Sequence, residues 1–471
     1  MAMTHSSPAS VGIDPTAITA LADAVDAKGL GVHGLVIARH GRVVAESWWH
    51  PYRPDQPHMM FSVSKAFTSM AVGLAIDEGL LRLDEPTHEI FPEFREIPGQ
   101  TVRHLLTMTS GHRTDLFDVF QSLPGRDWVE LFFDAPAPYE PGARFVYSTA
   151  ATYVLAAAVV RRSGQGLTAY LDERLFGPLG WATPHWEKDA RGIEHGGTGL
   201  KLTTRQLAQF GQLLLQRGEW EGRQLVPAAW VDEASALQTR NPWFDGHESR
   251  IGYGFQLWRS SHGFRADGMC GQFAVVIPEL DLVVATTSGA GDANRILEAI
   301  WSELLPGVDP SAGPGDPDGG VFASGERRVP EPRVVQADAA AEAALAGRTF
   351  RLPRNPAGVE TLAVSFDDDT VTVELTGERL GRRRLVAGRR EWVDGRFASP
   401  LESLPEVPCA ARAGWSKGAL ELHLQLTGTP FRWIWRLVAD GPEGPQLTAR
   451  FDPDLGLGSH EDLLLTESQQ G

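Results

Sequence analysis

Cysteine is nearly absent from this chain. Of 471 residues only Cys270 and Cys409 are cysteine, far apart and in no C-x-x-C unit. That excludes a disulfide-stapled scaffold and a cysteine-built zinc site. Long hydrophobic runs are missing too. No stretch approaches the roughly 18 consecutive apolar residues of a membrane span. The opening MAMTHSSPASVGIDP has neither a basic n-region nor an apolar h-region, so the expected location is the cytoplasm. Positive charge is in deficit. Lys and Arg number 43 against 60 Asp and Glu, a net charge of -17 that repels phosphate backbones and anionic membrane surfaces. Neither nucleic acid nor membrane is an expected partner, and a small-molecule or peptide-like substrate is. Several catalytic signatures are also lacking. There is no G-x-S-x-G elbow, and the 14 histidines contain no H-E-x-x-H. Gly29–Gly34 matches G-x-G-x-x-G but precedes a strand, so the dinucleotide reading fails on context. No metal or organic cofactor is implied.

What is present is an ordinary globular composition, 42% hydrophobic and 22% charged. Residues 32–49 read as two strands around the turn His40-Gly41. Over residues 62–78, Ala66, Phe67, Met70, Ala71 and Leu74 recur at helical spacing, and Gly79 stands where a helix would stop. Further helices are expected at 150–162, 204–217 and 292–304. FAVVIPELDLVVATTS (273–288) reads as a hairpin around Pro278-Glu279. Strands at both ends of a helical stretch predict an α+β domain over 10–305, an antiparallel sheet flanked by helices. Residues 306–334 are Pro/Gly/Asp-rich and read as a linker or long exposed loop. From 335 to 452 the chain alternates again. Leu420, Leu422, Leu424 and Leu426 share a face, as do Phe431, Trp433, Trp435 and Leu437, so a small all-β barrel or sandwich is expected. The tail beyond about 452 is polar.

The strongest chemical signal is Phe61-Ser62-Val63-Ser64-Lys65. Ser62 opens the predicted helix and Lys65 follows three residues later, which places both side chains on one face. A serine hydroxyl needs a base to become a nucleophile, and a lysine serves if burial lowers its pKa. S-x-x-K alone is common on solvated helix faces, but this one opens an apolar, Ala-rich helix. The second signal is PGARFVYSTA (141–150). A Pro-Gly turn and an extended run lead to Tyr147 at the mouth of a new helix, where a phenol can shuttle a proton. A lone tyrosine is as readily core or rim, its hydroxyl satisfied. The third is FRADGMCGQ (264–272), whose small residues would let a substrate lie along a strand edge. It also reads as a glycine-rich turn entering a hairpin. Cys270 within it reads as a small buried hydrophobe.

Taken together and in this order, the three segments resemble the serine β-lactamase and penicillin-binding-protein superfamily, in particular its class C β-lactamase-like branch. His104–Gly111, Phe176–Gly180 and GGTGLKLTT (196–204) resemble it as well, and the resemblance covers about residues 10–304. It implies Ser62 as the acyl-forming serine, Lys65 as its base and Tyr147 as the general acid/base. It implies an oxyanion hole from the backbone N–H groups of Ser62 and Met269, and substrate contacts at Thr149, Ala266, Asp267 and Gly268. It also implies a lipocalin-like form for the C-terminal β domain. Two positions depart from the family pattern. Thr149 replaces an Asn, and Ala266 stands where a Lys or His would hold a substrate carboxylate. Asp267 beside it would repel a carboxylate if ionised, or favour an amine. The expected function is therefore a serine hydrolase acting on an ester or amide, esterase/amidase or D-aminopeptidase-like, and not an efficient β-lactamase. An acyltransferase or peptide-cyclising thioesterase, and a catalytically inactive ligand-binding relative, are the alternatives.

Overall fold

The computed structural model describes residues 3–315, 320–322, 325–332, 339–354, 358–378, 381–397, 406–416, 418–441, 444–453 and 460–467. The chain divides into two compact units that do not follow chain order. The first comprises Met1–Ser47, Pro57–Ser288 and Asp292–Gly325, and the second Trp48–Gln56, Gly289–Gly291 and Glu326–Gly471.

The first unit is built on a sheet whose central strands are β1 (Val32–Arg39), β2 (Arg42–His50), β3 (Phe264–Gly268), β4 (Gln272–Ile277) and β5 (Leu282–Ser288), in the order β2-β1-β5-β4-β3. Every residue of β1, β4 and β5 is buried, because both faces of the sheet are covered. Arg39, 1% exposed within β1, is tolerated because its guanidinium donates to four carbonyls, those of Val11, Gly12, Leu280 and Asp309. Three of these tie the chain's start and residue 309 to the sheet. Val308 adds a bridge to Ile13 and Phe322 one to Ala45, so the described parts of 306–322 pack against the first unit. Residues 316–319, 323, 324, 333 and 334 of the expected linker lie outside the described residues. The hairpin expected over 273–288 forms, with a 3-10 turn at Pro278–Leu280 and Asp281 left-handed at φ 47°.

Three helices position the site. They are α1 (Ser64–Asp77), α2 (Thr149–Ser163) and α3 (Thr204–Leu215). Helix α1 is buried from Ser64 to Ala75, which explains its small side chains. A Cβ at Gly73 would lie 2.3 Å from Trp230 Cδ1, so only glycine admits that indole. Phe67 stacks on Phe210 of α3 with centroids 3.9 Å apart. Ser148 caps α2 by accepting from Ala151 N–H at 3.1 Å, and Gly164 ends it at φ 70°. Thr203 and Gln206 form a capping box on α3. The helix expected over 292–304 is α-helical at Asn294–Ala299 and then a π turn at Ile300–Leu304. No helix among the described residues is long and apolar enough to cross a membrane.

The second unit is built on one curled sheet, in the main an antiparallel meander, with a parallel pairing between Gly388 and Arg412. Alternation is the cause. Leu420, Leu422, Leu424 and Leu426 are all buried, as are Phe431, Trp435 and Leu437, while Trp433 is half-buried against Phe451. The excursion Trp48–Gln56 contributes to this unit: Tyr52 donates to Gln425 Oε1 and Arg53 pairs with Asp394 at 2.7 Å. The mixed α+β fold with an appended β domain is as the sequence predicts. The sheet curls into a half-barrel, and the strands at the two ends of its order, His460–Leu464 and Thr466–Glu467, are neighbours in the chain. Of the polar tail, residues 454–459 and 468–471 lie outside the described residues.

Candidate active site

Ser62 occupies a single 3-10 turn, Phe61–Val63, immediately before α1. Phe61 sits in the left-handed region at φ 46°, a costly conformation for a bulky residue and one that clusters at functional turns. Ser64 supports the turn by donating to Phe61 O at 2.6 Å and accepting from Leu200 N–H. Ser62 itself is half-buried. Lys65, one turn on, is 1% exposed.

Lys65 Nζ is the hub. It lies 3.0 Å from Ser62 Oγ, 3.1 Å from Thr149 Oγ1 and 2.8 Å from Gly197 O. Burial pushes its pKa down to about 7, against the opposing pull of the Asp115 and Asp267 carboxylates. Desolvation wins because the ammonium has left water and neither carboxylate pairs with it directly. A neutral amine suits these neighbours. Gly197 O is only an acceptor, so an N–H must face it. A second N–H serves Thr149 Oγ1, and the lone pair remains for the Ser62 hydroxyl.

Tyr147 stands over the same nitrogen, its ring centroid 4.8 Å from Lys65 Nζ. Burial raises the phenol pKa well above its ordinary value, while side-chain interactions with Ser62 and Trp258 act in the opposite direction. The ring is held in an aromatic cluster. Trp258 stacks on it at 5.5 Å, Tyr253 meets it edge-on at 6.1 Å, and Phe244 does so at 6.1 Å from another side.

The third segment forms β3 and the turn after it. Gly268 is required there, because a Cβ would fall 2.2 Å from Met60 O in the chain entering the Ser62 turn. The Met269 backbone N–H has no acceptor among the described residues, and its side chain is 46% exposed. Ala266 is 1% exposed and pairs across the sheet with Ala274, so no cation stands at this place. Asp267 is not a lone anion as the sequence suggests. Arg265, two residues away on the same strand face, donates Nε–H to its Oδ2 at 2.8 Å. Burial nevertheless raises the Asp267 pKa, with Arg265 and Lys65 opposing. The Arg265 guanidinium also donates to Arg259 O and Ser260 Oγ. Its Nη2 has no partner among the described residues, but with the side chain 0% exposed no ligand reaches it. Cys270 is a buried thiol outside any disulfide.

Ser62, Lys65, Tyr147 and Thr149 are thus brought together, with β3 and its turn alongside. Sequence reasoning missed three contributors. Asp115 accepts from Ser148 Oγ and from the N–H groups of Thr149 and Ala150, pinning the start of α2 against the site. Gly197 supplies the carbonyl on Lys65, and a Cβ there would meet Thr149 Cγ2 at 2.8 Å. Phe244, Tyr253 and Trp258 supply the aromatic surround. Only Gly197 lay in a segment the sequence had singled out.

Against known proteins, the family model described as Beta-lactamase matches residues 18–301. The 6-aminohexanoate-dimer hydrolase of Paenarthrobacter ureafaciens is 27% identical over 308 residues, 58% of this chain and 76% of that protein. Esterase EstB of Burkholderia gladioli is 32% identical over 207 residues, 37% of this chain and 53% of the esterase. Among solved structures, the octameric penicillin-binding protein homologue from Pyrococcus abyssi superposes with a TM-score of 0.50 at 17% identity. That match covers 95% of this chain and 99% of the homologue, a likeness of fold across both units.

Proposed function

Because the chain belongs to the Beta-lactamase family, a branch of the serine β-lactamase and penicillin-binding-protein superfamily, we propose that it is a serine hydrolase that forms an acyl-enzyme on Ser62 and cleaves an ester or a linear amide. The observation that carries this reading is the Lys65 hub. A buried amine with a pKa of about 7 lies 3.0 Å from the Ser62 hydroxyl, its other neighbours being hydrogen-bond acceptors. Relatives named as a dimer hydrolase and an esterase support the ester or amide class.

In the first step neutral Lys65 takes the Ser62 proton as Oγ bonds to the substrate carbonyl carbon. The carbonyl π pair moves onto its oxygen, which the Ser62 and Met269 N–H groups receive. As the tetrahedral adduct collapses, the bond to the leaving group breaks. Tyr147 gives its proton to the departing oxygen or nitrogen and recovers one from Lys65. Its raised pKa keeps it protonated for that task. Water, activated through the same residues, then hydrolyses the ester to Ser62. With Ala266 in place of a cation and Arg265 sealed against Asp267, a substrate carboxylate has no partner beside β3. That disfavours efficient β-lactam or carboxypeptidase chemistry and supports the class C-like esterase/amidase reading.

Intact mass after a fluorophosphonate probe, with peptide mapping, is the direct test. One adduct on Ser62, lost in Ser62→Ala, is expected. An unlabelled but folded wild-type protein would overturn the hydrolase reading in favour of a ligand-binding relative. Amide products in place of acid when amines are added would turn it to acyl transfer.

A further inference from the structure

The reacting groups are flanked by more aromatic surface than the chemistry needs. Phe145, Phe244, Tyr253 and Trp258 pack around Tyr147. Phe145 lies 5.4 Å from Tyr253 and 5.9 Å from Phe244, and Phe244 lies 5.1 Å from Trp258. Tyr253 and Trp258 are buried, but Phe145, Tyr147 and Phe244 remain partly open. Phe244 comes from a loop built to hold it. Its N–H closes a turn on Asn241 O at 3.0 Å, and its carbonyl accepts from Arg250 Nε–H at 2.7 Å. Asn241, 2% exposed, ties the turn to Ser249 O at 2.6 Å. At the crown of that turn Trp243 is 87% exposed, the most exposed large hydrophobic side chain among the described residues. The loop that packs Phe244 on the Tyr147 ring thus carries, one residue earlier, an indole presented to solvent, and apolar surface so exposed is poised to cover something apolar.

We infer that Phe244 and Trp243, with Phe145, form the subsite for an uncharged aromatic or bulky aliphatic leaving group, backed from below by the buried Trp258. The side of the scissile bond follows from Tyr147, the phenol proposed above to protonate the departing atom. Phe244 touches that same ring and is partly open, so what it covers is the group that departs. The charge follows from β3, where no open cation faces the cleft. The substrate class is therefore an ester or amide of a hydrophobic alcohol or amine. The inference rests on the Ser62 hydrolase reading.

The test compares kcat/KM for benzyl acetate with that for methyl acetate in wild type, Phe244→Ala and Trp243→Ala. Intrinsic reactivity cancels when the ratio is compared between variants. Each variant is first required to carry the fluorophosphonate adduct on Ser62, which keeps a misfolded protein or a failed hydrolase reading apart from a failed subsite. The benzyl-to-methyl ratio is expected to fall about tenfold in Phe244→Ala, the order seen when a pocket loses an apolar contact, and about threefold in Trp243→Ala. Trp243, being exposed, is the variant least able to disturb folding. A ratio unchanged in both labelled variants would overturn the subsite. So would a loss confined to the acyl side, seen as a drop for methyl phenylacetate relative to methyl acetate with the benzyl ratio intact.

Discussion

Lys65→Met is expected to slow acylation of Ser62 by about a thousandfold or more, as is usual when one member of a nucleophile–base unit is removed. The same substitution is expected to leave the protein at least as thermostable as wild type at pH 7. The two effects share a cause. Lys65 is held 1% exposed with its pKa depressed from 10.5 to about 7. Between these values the unfolded chain binds a proton that the native state does not, so stability rises with pH across that window and is lowest below it. Methionine binds no proton and escapes this cost. The difference in Tm between the variant and wild type should therefore be greatest at or below pH 7 and shrink toward pH 10. The wild-type rate of adduct formation should rise with pH through an inflection near 7, as the amine becomes free to accept the serine proton. A flat pH profile, or a methionine variant that acylates at the wild-type rate, would remove Lys65 from the base role.

How far the sequence reveals this site depends on how locally each contact is encoded. Ser62 and Lys65 are three residues apart on one helix, so spacing alone predicts that they meet. Tyr147 and Thr149 are legible because a Pro-Gly turn, an extended run and a helix start place them at a junction. The strands are legible as well, in the second unit by alternation and in the first by the continuous apolar runs of strands buried on both faces. Asp115 is not. It stands 34 residues before Thr149 and meets that backbone only after folding. Phe244 and Trp258 belong to no periodic segment. Fourteen tryptophans give no indication of which one will stack on the Tyr147 ring. The Arg265–Asp267 pair shows another limit. Alternation puts the two side chains on one strand face, but their pairing depends on the strand being buried, and a sequence read for carboxylate repulsion sees only the acid. The excursion of Trp48–Gln56 into the second unit follows a strand that is legible as far as Trp49, and nothing local marks the departure.

Asp115 is where a structural role and an electrostatic one can be separated. Its Oδ1 accepts from Ser148 Oγ at 3.1 Å and Ala150 N–H at 3.0 Å, and from Leu116 N–H at 2.8 Å, while Oδ2 accepts from Thr149 N–H at 2.9 Å. These bonds satisfy orphan donors at the start of α2 and place an anion at the positive end of the helix. Asp115→Ala should cost about 2–4 kcal/mol of stability, the price of losing a cap together with several charge-assisted bonds. Because α2 carries Thr149 and follows Tyr147 directly, acylation should fall by about a hundredfold as the hub loosens. Asp115→Asn keeps an acceptor and much of the geometry but not the charge. It should retain most of the stability while shifting the acylation inflection to lower pH, since the Asp115 carboxylate is one of the two groups that raise the Lys65 pKa against burial. Thermal unfolding and adduct-formation rates across pH 5–9 read both quantities. An inflection that stays put in Asp115→Asn would confine Asp115 to capping, and one that moves to higher pH would mean that the substitution relieves the burial of Lys65 more than it removes charge.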